Sequence, residues 1–186
     1  MTATDSKVAR VTYKSRLHQM TQTTPTMLWN DSADIAELTY AIENGAVGAT
    51  CNPVIAVGIL KKEIAIWRPR IHALMRELPG ATEDQIGWKL VAEMSVRAAK
   101  LLEPAFAAHA GRNGRLSVQT DPRFYRDASA IVEQAMAFSR LAPNIIVKIP
   151  ATKAGVVAIE EATYRGLSIN ATAVSYTHLT LPTILR

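Results

Sequence analysis

Short apolar runs alternate with longer amphipathic stretches along this chain. The runs fall at 27–31, 46–51, 115–120, 144–150 and 167–172 and predict five strands. The stretches that follow them have apolar residues at helical spacing and predict helices. Repeated strand–helix units indicate an α/β protein whose parallel sheet is joined by right-handed crossovers.

Cap and stop signals place the helices between these strands. We expect Ser32, Asp127 and Thr152 to be N-caps, because a side-chain oxygen at that position can accept a free helical N–H. Thr82 and Gln85 have the spacing of a capping box.

Two prolines fall in the long helical region before the third strand. We expect Pro69 in the first turn of a helix, where its missing N–H does no harm, and Pro104 to interrupt a helix. Residues 1–24 are polar and predict either a mobile arm or a single surface helix.

Lys148 stands in the otherwise apolar run 144–150. A lysine is almost never fully buried without a partner, because removing its ammonium from water is costly. Three interpretations follow from this strand alone. Lys148 is a salt-bridged structural lysine, a lysine at a solvent-open strand end, or an amine that attacks a carbonyl.

Strand geometry gives this lysine polar neighbours. Alternation puts Asn144, Ile146 and Lys148 on one face of the fourth strand. The polar side chains on the equivalent faces or ends of the other strands are Asp31, Thr50, Asn52, Ser117, Gln119, Ser168, Asn170 and Thr172. Inward faces converge at the C-terminal end of a closed parallel barrel but not in an open doubly wound sheet, so the pattern favours an incomplete TIM-type barrel. Thr50 is expected to contact substrate there.

Composition narrows the function classes. The chain has 186 residues, enough for one core, with 48% hydrophobic and 20% charged residues, a soluble globular balance. The net charge of +5 lacks the aromatic interleaving typical of nucleic-acid binding, which we do not expect. A moderately basic protein also suits anionic small molecules such as sugar phosphates.

Cofactor and membrane signals are weak in this sequence. The four histidines lie far apart and Cys51 is the only cysteine, so we expect neither a metal site nor an internal disulfide. No apolar run approaches the roughly 20 residues of a membrane span, and the N-terminus is too polar for a signal peptide. These features favour a cytoplasmic protein that does not bind membranes.

Four segments resemble, in order and spacing, motifs of the transaldolase family. They are Trp29–Ile35, Gly48–Pro53, Val147–Thr152 and Ser168–Thr172, and the resemblance covers about residues 25–174. It implies an eight-stranded barrel without a metal or organic cofactor. It also implies a lysine that forms a Schiff base with a ketose phosphate and passes a dihydroxyacetone unit to an aldose phosphate. The oligomeric state does not follow from it.

The resemblance assigns roles to particular residues. It implies that Lys148 is the nucleophile, that the Asp31 carboxylate transfers protons during carbon–carbon cleavage, and that Thr172 helps to order catalytic water. The residues it implies for holding the donor hydroxyls and the lysine are Asn52, Ser117 and Asn170.

Two departures from the family pattern leave alternatives open. Gln119 stands where transaldolases have a glutamate that acts through water, and it is similar to the related fructose 6-phosphate aldolases. The family barrel also continues with three further strands, one of which carries arginines that bind the substrate phosphate. Residues 175–186 have no family counterpart, and we expect them to be a non-native tail. The alternatives to a transaldolase are therefore an aldolase and an inactive truncated fragment.

Several of these residues also have purely structural interpretations. Asp31 could cap the first helix, and Asn52 before a proline is a common turn residue. The tryptophans at 29, 67 and 88 are expected in the core or between helices. Cys51 is expected to face the helices as a small buried apolar group.

Overall fold

The predicted strands form one parallel sheet within residues 12–174, the part of the chain that the computed structural model describes. In chain order they are β1 (Leu28–Asn30), β2 (Ala46–Cys51), β3 (Arg115–Gln119), β4 (Ile145–Pro150) and β5 (Ile169–Thr172). Each strand pairs with the next one along the chain. All five lie inside the apolar runs that predicted them.

The strand order distinguishes a barrel from an open sheet. A doubly wound sheet reverses its order at a switch point, whereas consecutive strands of a (β/α) barrel lie side by side. Here the order is β1-β2-β3-β4-β5 and the sheet curls into a half-barrel. The predicted incomplete TIM-type barrel is therefore confirmed for the described residues.

Helices flank this sheet throughout residues 12–174. They are α1 (Arg16–Thr23), α2 (Ile35–Glu43), α3 (Pro53–Lys62), α4 (Ile64–Glu77), α5 (Glu83–Ala108), α6 (Ala128–Ser139) and α7 (Lys153–Tyr164). No residue of α1 is buried, so the surface-helix interpretation of the N-terminal segment holds where that segment is described. Residues 1–11 and the predicted tail at 175–186 lie outside the described residues.

The core lies between the sheet and its helices. Leu116 and Val118 of β3 and Val147 and Ile149 of β4 are at most 1% exposed. Their apolar area, removed from water by α5, α6 and α7, is the main favourable term in folding this layer. Cys51 belongs to the same cluster, which confirms that it is a small buried group on the helix side.

The lysine strand alternates as predicted, with one exception at its start. Ile145, Val147 and Ile149 are buried, whereas Lys148 is only partly so. Asn144 was expected on the lysine face, and that expectation is wrong. It precedes the strand, is fully buried, and donates from Nδ2 to the carbonyls of Ala99 in α5 and Gly114 before β3, each at 2.8 Å.

Most of the predicted caps form. The capping box of Thr82 and Gln85 is present, and Asp127 and Thr152 cap α6 and α7. The prediction that Ser32 caps α2 is wrong. Asp34 caps that helix, and the Ser32 hydroxyl instead accepts from the Asp34 N–H at 3.1 Å.

Both proline predictions are wrong for one reason. Pro69 lies in the second turn of α4, and Pro104 lies within α5, which continues to Ala108. Each proline leaves one carbonyl four residues earlier without its helical N–H. Those carbonyls belong to Ala65 and Lys100, which are both exposed, so water can satisfy them and the helices continue.

Candidate active site

Register places Lys148 between two amide side chains. Gln119 on β3 and Asn170 on β5 both pair with Lys148, so the three residues lie side by side on the same face of the sheet. This face is opposite the one packed under the helices. The lysine is therefore not buried in the core, and its amine projects from the inner face of the half-barrel.

A hydrogen bond across the inner face fixes two of the predicted residues. Asn170 donates from Nδ2 to the Ser117 hydroxyl at 2.9 Å, and Ser117 is fully buried. Because the bond passes from β5 to β3, it spans β4, the strand that carries Lys148. Thr172 lies on the same face of β5, level with Pro150 at the end of β4.

A second pair extends this polar surface toward β1. The Thr50 hydroxyl donates to Oδ1 of Asp31, which follows β1 directly. Thr50 also pairs in register with Ser117, so the surface is continuous across the sheet. The structural interpretation of Asp31 as a helix cap is wrong, because Asp34 caps α2.

Trp29 lies on this inner face and not between helices. It pairs in register with Gly48, and a Cβ at that glycine would lie 2.5 Å from the indole. The absence of a side chain at Gly48 therefore lets the ring cover β2. By contrast, Trp67 is in the helical core as predicted, at 3% exposure, and Trp88 stacks near Phe138 with ring centroids 5.9 Å apart.

Asn52 has a structural contact as a helix cap, where the sequence suggests a turn residue. Its Oδ1 accepts from the N–H of Ile55 at 3.0 Å and so caps α3 directly after β2. This bond orients the amide at the C-terminal end of the strands. Seven of the eight predicted site residues thus lie on or directly beyond one polar face, and Asn52 lies at its margin as a helix cap.

The loops beyond β3 and β4 are tied together by Thr152. Its hydroxyl donates to the carbonyl of Tyr125 at 2.9 Å and accepts from the N–H of Gly155 at 3.0 Å. Gly155 lies against the end of β4, where any Cβ would overlap the carbonyl oxygen of Pro150. The N-terminus of α7 can therefore approach the lysine strand closely.

Sequence reasoning missed a buried carboxylate next to this site. Asp121, two residues after Gln119, is 3% exposed and accepts from the indole N–H of Trp88 and from Arg123. In the sequence, Asp121 followed by a proline indicates only a turn. No sequence signal could have paired Asp121 with a tryptophan of α5 that lies far away in the chain.

Two pKa shifts describe the surroundings of the sheet. Burial raises the pKa of the Cys51 thiol to about 11, so it stays protonated at neutral pH. Burial also tends to raise the pKa of the Asp34 carboxyl. Hydrogen bonds from Lys62, at 2.7 Å, and from the N–H groups of Glu37 and Ala36 outweigh it and hold that pKa below its ordinary value.

The lowered pKa of Asp34 makes the free energy of unfolding depend on pH in the acid range. Because its pKa is lower in the folded than in the unfolded state, its contribution is complete above the ordinary value of 3.8 and is lost as pH falls through the folded pKa. We expect Asp34→Asn to lower the free energy of unfolding at neutral pH, and this difference from the native chain to shrink below pH 3.8. Urea denaturation at a series of pH values measures it.

The control for this prediction is Glu43→Gln. Glu43 is on the same helix but pairs loosely with Lys14, at 3.6 Å between two exposed side chains. We expect its effect to be small at every pH. An Asp34→Asn difference that stayed constant down to the acid transition would contradict the assignment.

Metal ligands and membrane spans were also sought in the described residues. Within residues 12–174, His, Cys, Asp and Glu side chains do not gather in groups of three that could hold an ion. None of the helices in that range is long and apolar enough to cross a bilayer.

The fold and this face define a (β/α)-barrel protein with a polar site at the C-terminal ends of its strands, where barrel enzymes carry their active sites. The sequence specifies the family within that class. A family model described as transaldolase/fructose-6-phosphate aldolase matches residues 28–178. The chain belongs to this family, as the motif resemblance implied.

Named relatives agree with this assignment. The chain is 34% identical over 146 residues to Transaldolase 1 of Streptomyces avermitilis and 40% identical over 146 residues to Transaldolase 2 of the same organism. It is 31% identical over 150 residues to a transaldolase of Mycolicibacterium smegmatis. These matches cover 77%, 77% and 79% of this chain but 37%, 38% and 40% of the relatives. The chain thus spans well under half the length of these relatives.

Proposed function

We propose that this chain carries the nucleophile of a transaldolase. The reaction would convert sedoheptulose 7-phosphate and glyceraldehyde 3-phosphate to erythrose 4-phosphate and fructose 6-phosphate, within the pentose phosphate pathway of the cytoplasm. The observation that carries the proposal is the position of Lys148. Its side chain leaves the inner face of the half-barrel level with Gln119 and Asn170, where an amine can meet a bound ketose.

The proposed first step is imine formation. The unprotonated amine of Lys148 attacks the ketone carbon of the donor, a carbon–nitrogen bond forms, and the carbonyl oxygen leaves as water after protonation. Thr172, level with the end of β4, would help to order that water. The resulting iminium ion is an electron sink beside the bond that must break.

Cleavage then needs a base. The bond between the third and fourth carbons breaks, its electron pair moves toward the iminium nitrogen, and the proton of the fourth-carbon hydroxyl passes to a carboxylate. Asp31 is the proposed base, held at the end of β1 by the Thr50 hydroxyl. The cleaved aldose phosphate, erythrose 4-phosphate, leaves as an aldehyde. The remaining enamine then attacks the aldehyde carbon of the acceptor, and the acceptor oxygen takes the proton from the carboxylate. Hydrolysis of the iminium then frees the product and the lysine.

The remaining polar residues would bind the donor. Asn170 would do so directly, and the fully buried Ser117 hydroxyl, which accepts from the Asn170 amide at 2.9 Å, would orient that amide before substrate arrives. Thr50 and Asn52 would contact donor hydroxyls at the β2 end. These side chains supply the proposed chemistry without a metal or organic cofactor.

One observation favours a second function, release of dihydroxyacetone by an aldolase. Gln119 pairs in register with Lys148, and its amide cannot take up a proton at the place where a glutamate would act through water. The matched family includes fructose-6-phosphate aldolases. If acceptor transfer is slow, the three-carbon unit would leave after hydrolysis.

Reductive trapping tests the proposal. The chain is incubated with fructose 6-phosphate and sodium borohydride, and the modified peptide is identified by mass spectrometry. We expect one stable adduct, on Lys148. A folded sample without an adduct, or with the adduct on another lysine, would contradict the proposal. Adding erythrose 4-phosphate without borohydride separates the two functions, because a transaldolase forms sedoheptulose 7-phosphate and an aldolase accumulates dihydroxyacetone.

A further inference from the structure

Two buried polar residues follow β3 and connect it to the helical layer. Thr120 is fully buried and Asp121 is 3% exposed. A carboxylate buried to this extent needs hydrogen-bond donors, since removing its charge from water is costly. The hydrogen-bond donors around Asp121 show which elements hold the end of β3.

The donors come from helix α5 and from the chain directly after the strand. Oδ2 of Asp121 accepts from Nε1 of Trp88 at 2.9 Å and from Nη2 of Arg123 at 2.6 Å. Oδ1 accepts from the main-chain N–H of Arg123 at 2.9 Å. Arg123 also pairs with Asp84 near the start of α5. The carboxylate therefore fastens the end of β3 to α5.

Helix α6 holds the same point through the main chain. The N–H of Asp121 donates to Oε1 of Gln134 at 2.6 Å. Both the side chain and the main chain of Asp121 are thus fixed by neighbouring helices. The neighbouring helices, and not the sheet, therefore fix the position of Asp121 along the direction of β3.

Thr120 connects Asp121 to the main chain of Lys148. Its N–H donates to the main-chain carbonyl of Lys148 at 3.0 Å, and its hydroxyl lies 3.5 Å from the same oxygen. Gln119, one residue earlier, is level with Lys148. A displacement of Asp121 would therefore move the main chain of the lysine and the amide beside it together.

We propose that Asp121 is a positioning residue that sets the location of the Lys148 amine by anchoring the end of β3 to α5 and α6. The proposal rests on the nucleophile role proposed for Lys148. Asp121 lies on the helix side of the loop and acts through Thr120, not on the substrate. A small misplacement of a reacting group can reduce rates by about 100-fold, so such an anchor has functional consequences.

The test compares Asp121→Asn with Glu93→Gln in the full chain. Glu93 also pairs with an arginine, Arg70, at 2.8 Å, but it joins α4 to α5 and has no bond to a strand end. Each variant is treated with acetic anhydride at a fixed alkaline pH, and acetylation of Lys148 is measured relative to exposed Lys100. We expect the ratio to change by about threefold or more in Asp121→Asn and to stay unchanged in Glu93→Gln.

An unchanged ratio in a folded Asp121→Asn variant overturns the proposal. If that variant does not fold, Trp88→Phe decides the question, because it removes the indole donor to Asp121 and keeps an aromatic ring at that position. We then expect the acetylation ratio of Trp88→Phe to differ from that of the native chain, and an unchanged ratio overturns the proposal. The acetylation measurement uses no sugar phosphate, so its result does not depend on borohydride trapping. Failure of the native chain to form an adduct would refute the proposed function and leave this measurement intact.

Discussion

Lys148→Arg will abolish borohydride trapping by fructose 6-phosphate, whereas Lys153→Arg will leave it unchanged. Arginine keeps the positive charge and a long apolar stem, but its guanidinium stays protonated and cannot form an imine. The loss should be at least about 1,000-fold, as expected when a covalent nucleophile is removed. Adduct yield by mass spectrometry is the measurement.

The two lysines form a matched pair for this comparison. Lys153 is exposed at the start of α7, a few residues beyond the strand that carries Lys148. A general loss of fold would affect trapping in both variants, and circular dichroism would reveal it. Equal adduct yields from native chain and Lys148→Arg would rule out Lys148 as the nucleophile.

Gly155→Ala will destabilise the chain by about 3 kcal/mol, the upper end for an overpacked site. The added methyl group would overlap the carbonyl oxygen of Pro150, a backbone atom that cannot rotate away. The start of α7 would have to move from the end of β4, which disturbs the Thr152 bond to Tyr125. Equilibrium urea denaturation measures the change.

Gly58→Ala is the matched control because Gly58 is also helical, within α3. A Cβ there meets nothing within 4 Å. Alanine has the higher helix propensity, so we expect a stabilisation of about 0.5–1 kcal/mol. If Gly155→Ala also stabilised the chain, α7 would not lie as close to β4 as described.

The strands and the polar face could be predicted because both depend on short-range patterns. Alternation along β4 separates Lys148 from Val147 and Ile149 without any knowledge of neighbouring strands. The order of strand–helix units then implies parallel pairing. Register adds what the sequence did not contain, namely that Gln119 and Asn170 are level with the lysine.

The remaining features depend on tertiary contacts that no local pattern encodes. The choice of Asp34 over Ser32 as the cap of α2 is reinforced by Lys62, which lies beyond the next strand. Asn144 resembles one more polar residue of the lysine face, yet it bonds α5 and the turn before β3. In both cases a distant partner overrides the local preference.

The sequential strand order has a consequence for how this half-barrel assembles. Every strand pairs with the next strand along the chain, although three helices, α3 to α5, separate β2 from β3, so no pairing has to skip a strand. Each strand–helix unit can dock on the preceding one as it leaves the ribosome. Lys148 has both of its amide neighbours only when β5 has paired, because Asn170 lies on that strand. Assembly of the candidate site is therefore a late event in folding, whereas the helix-side core can form with β3 and β4.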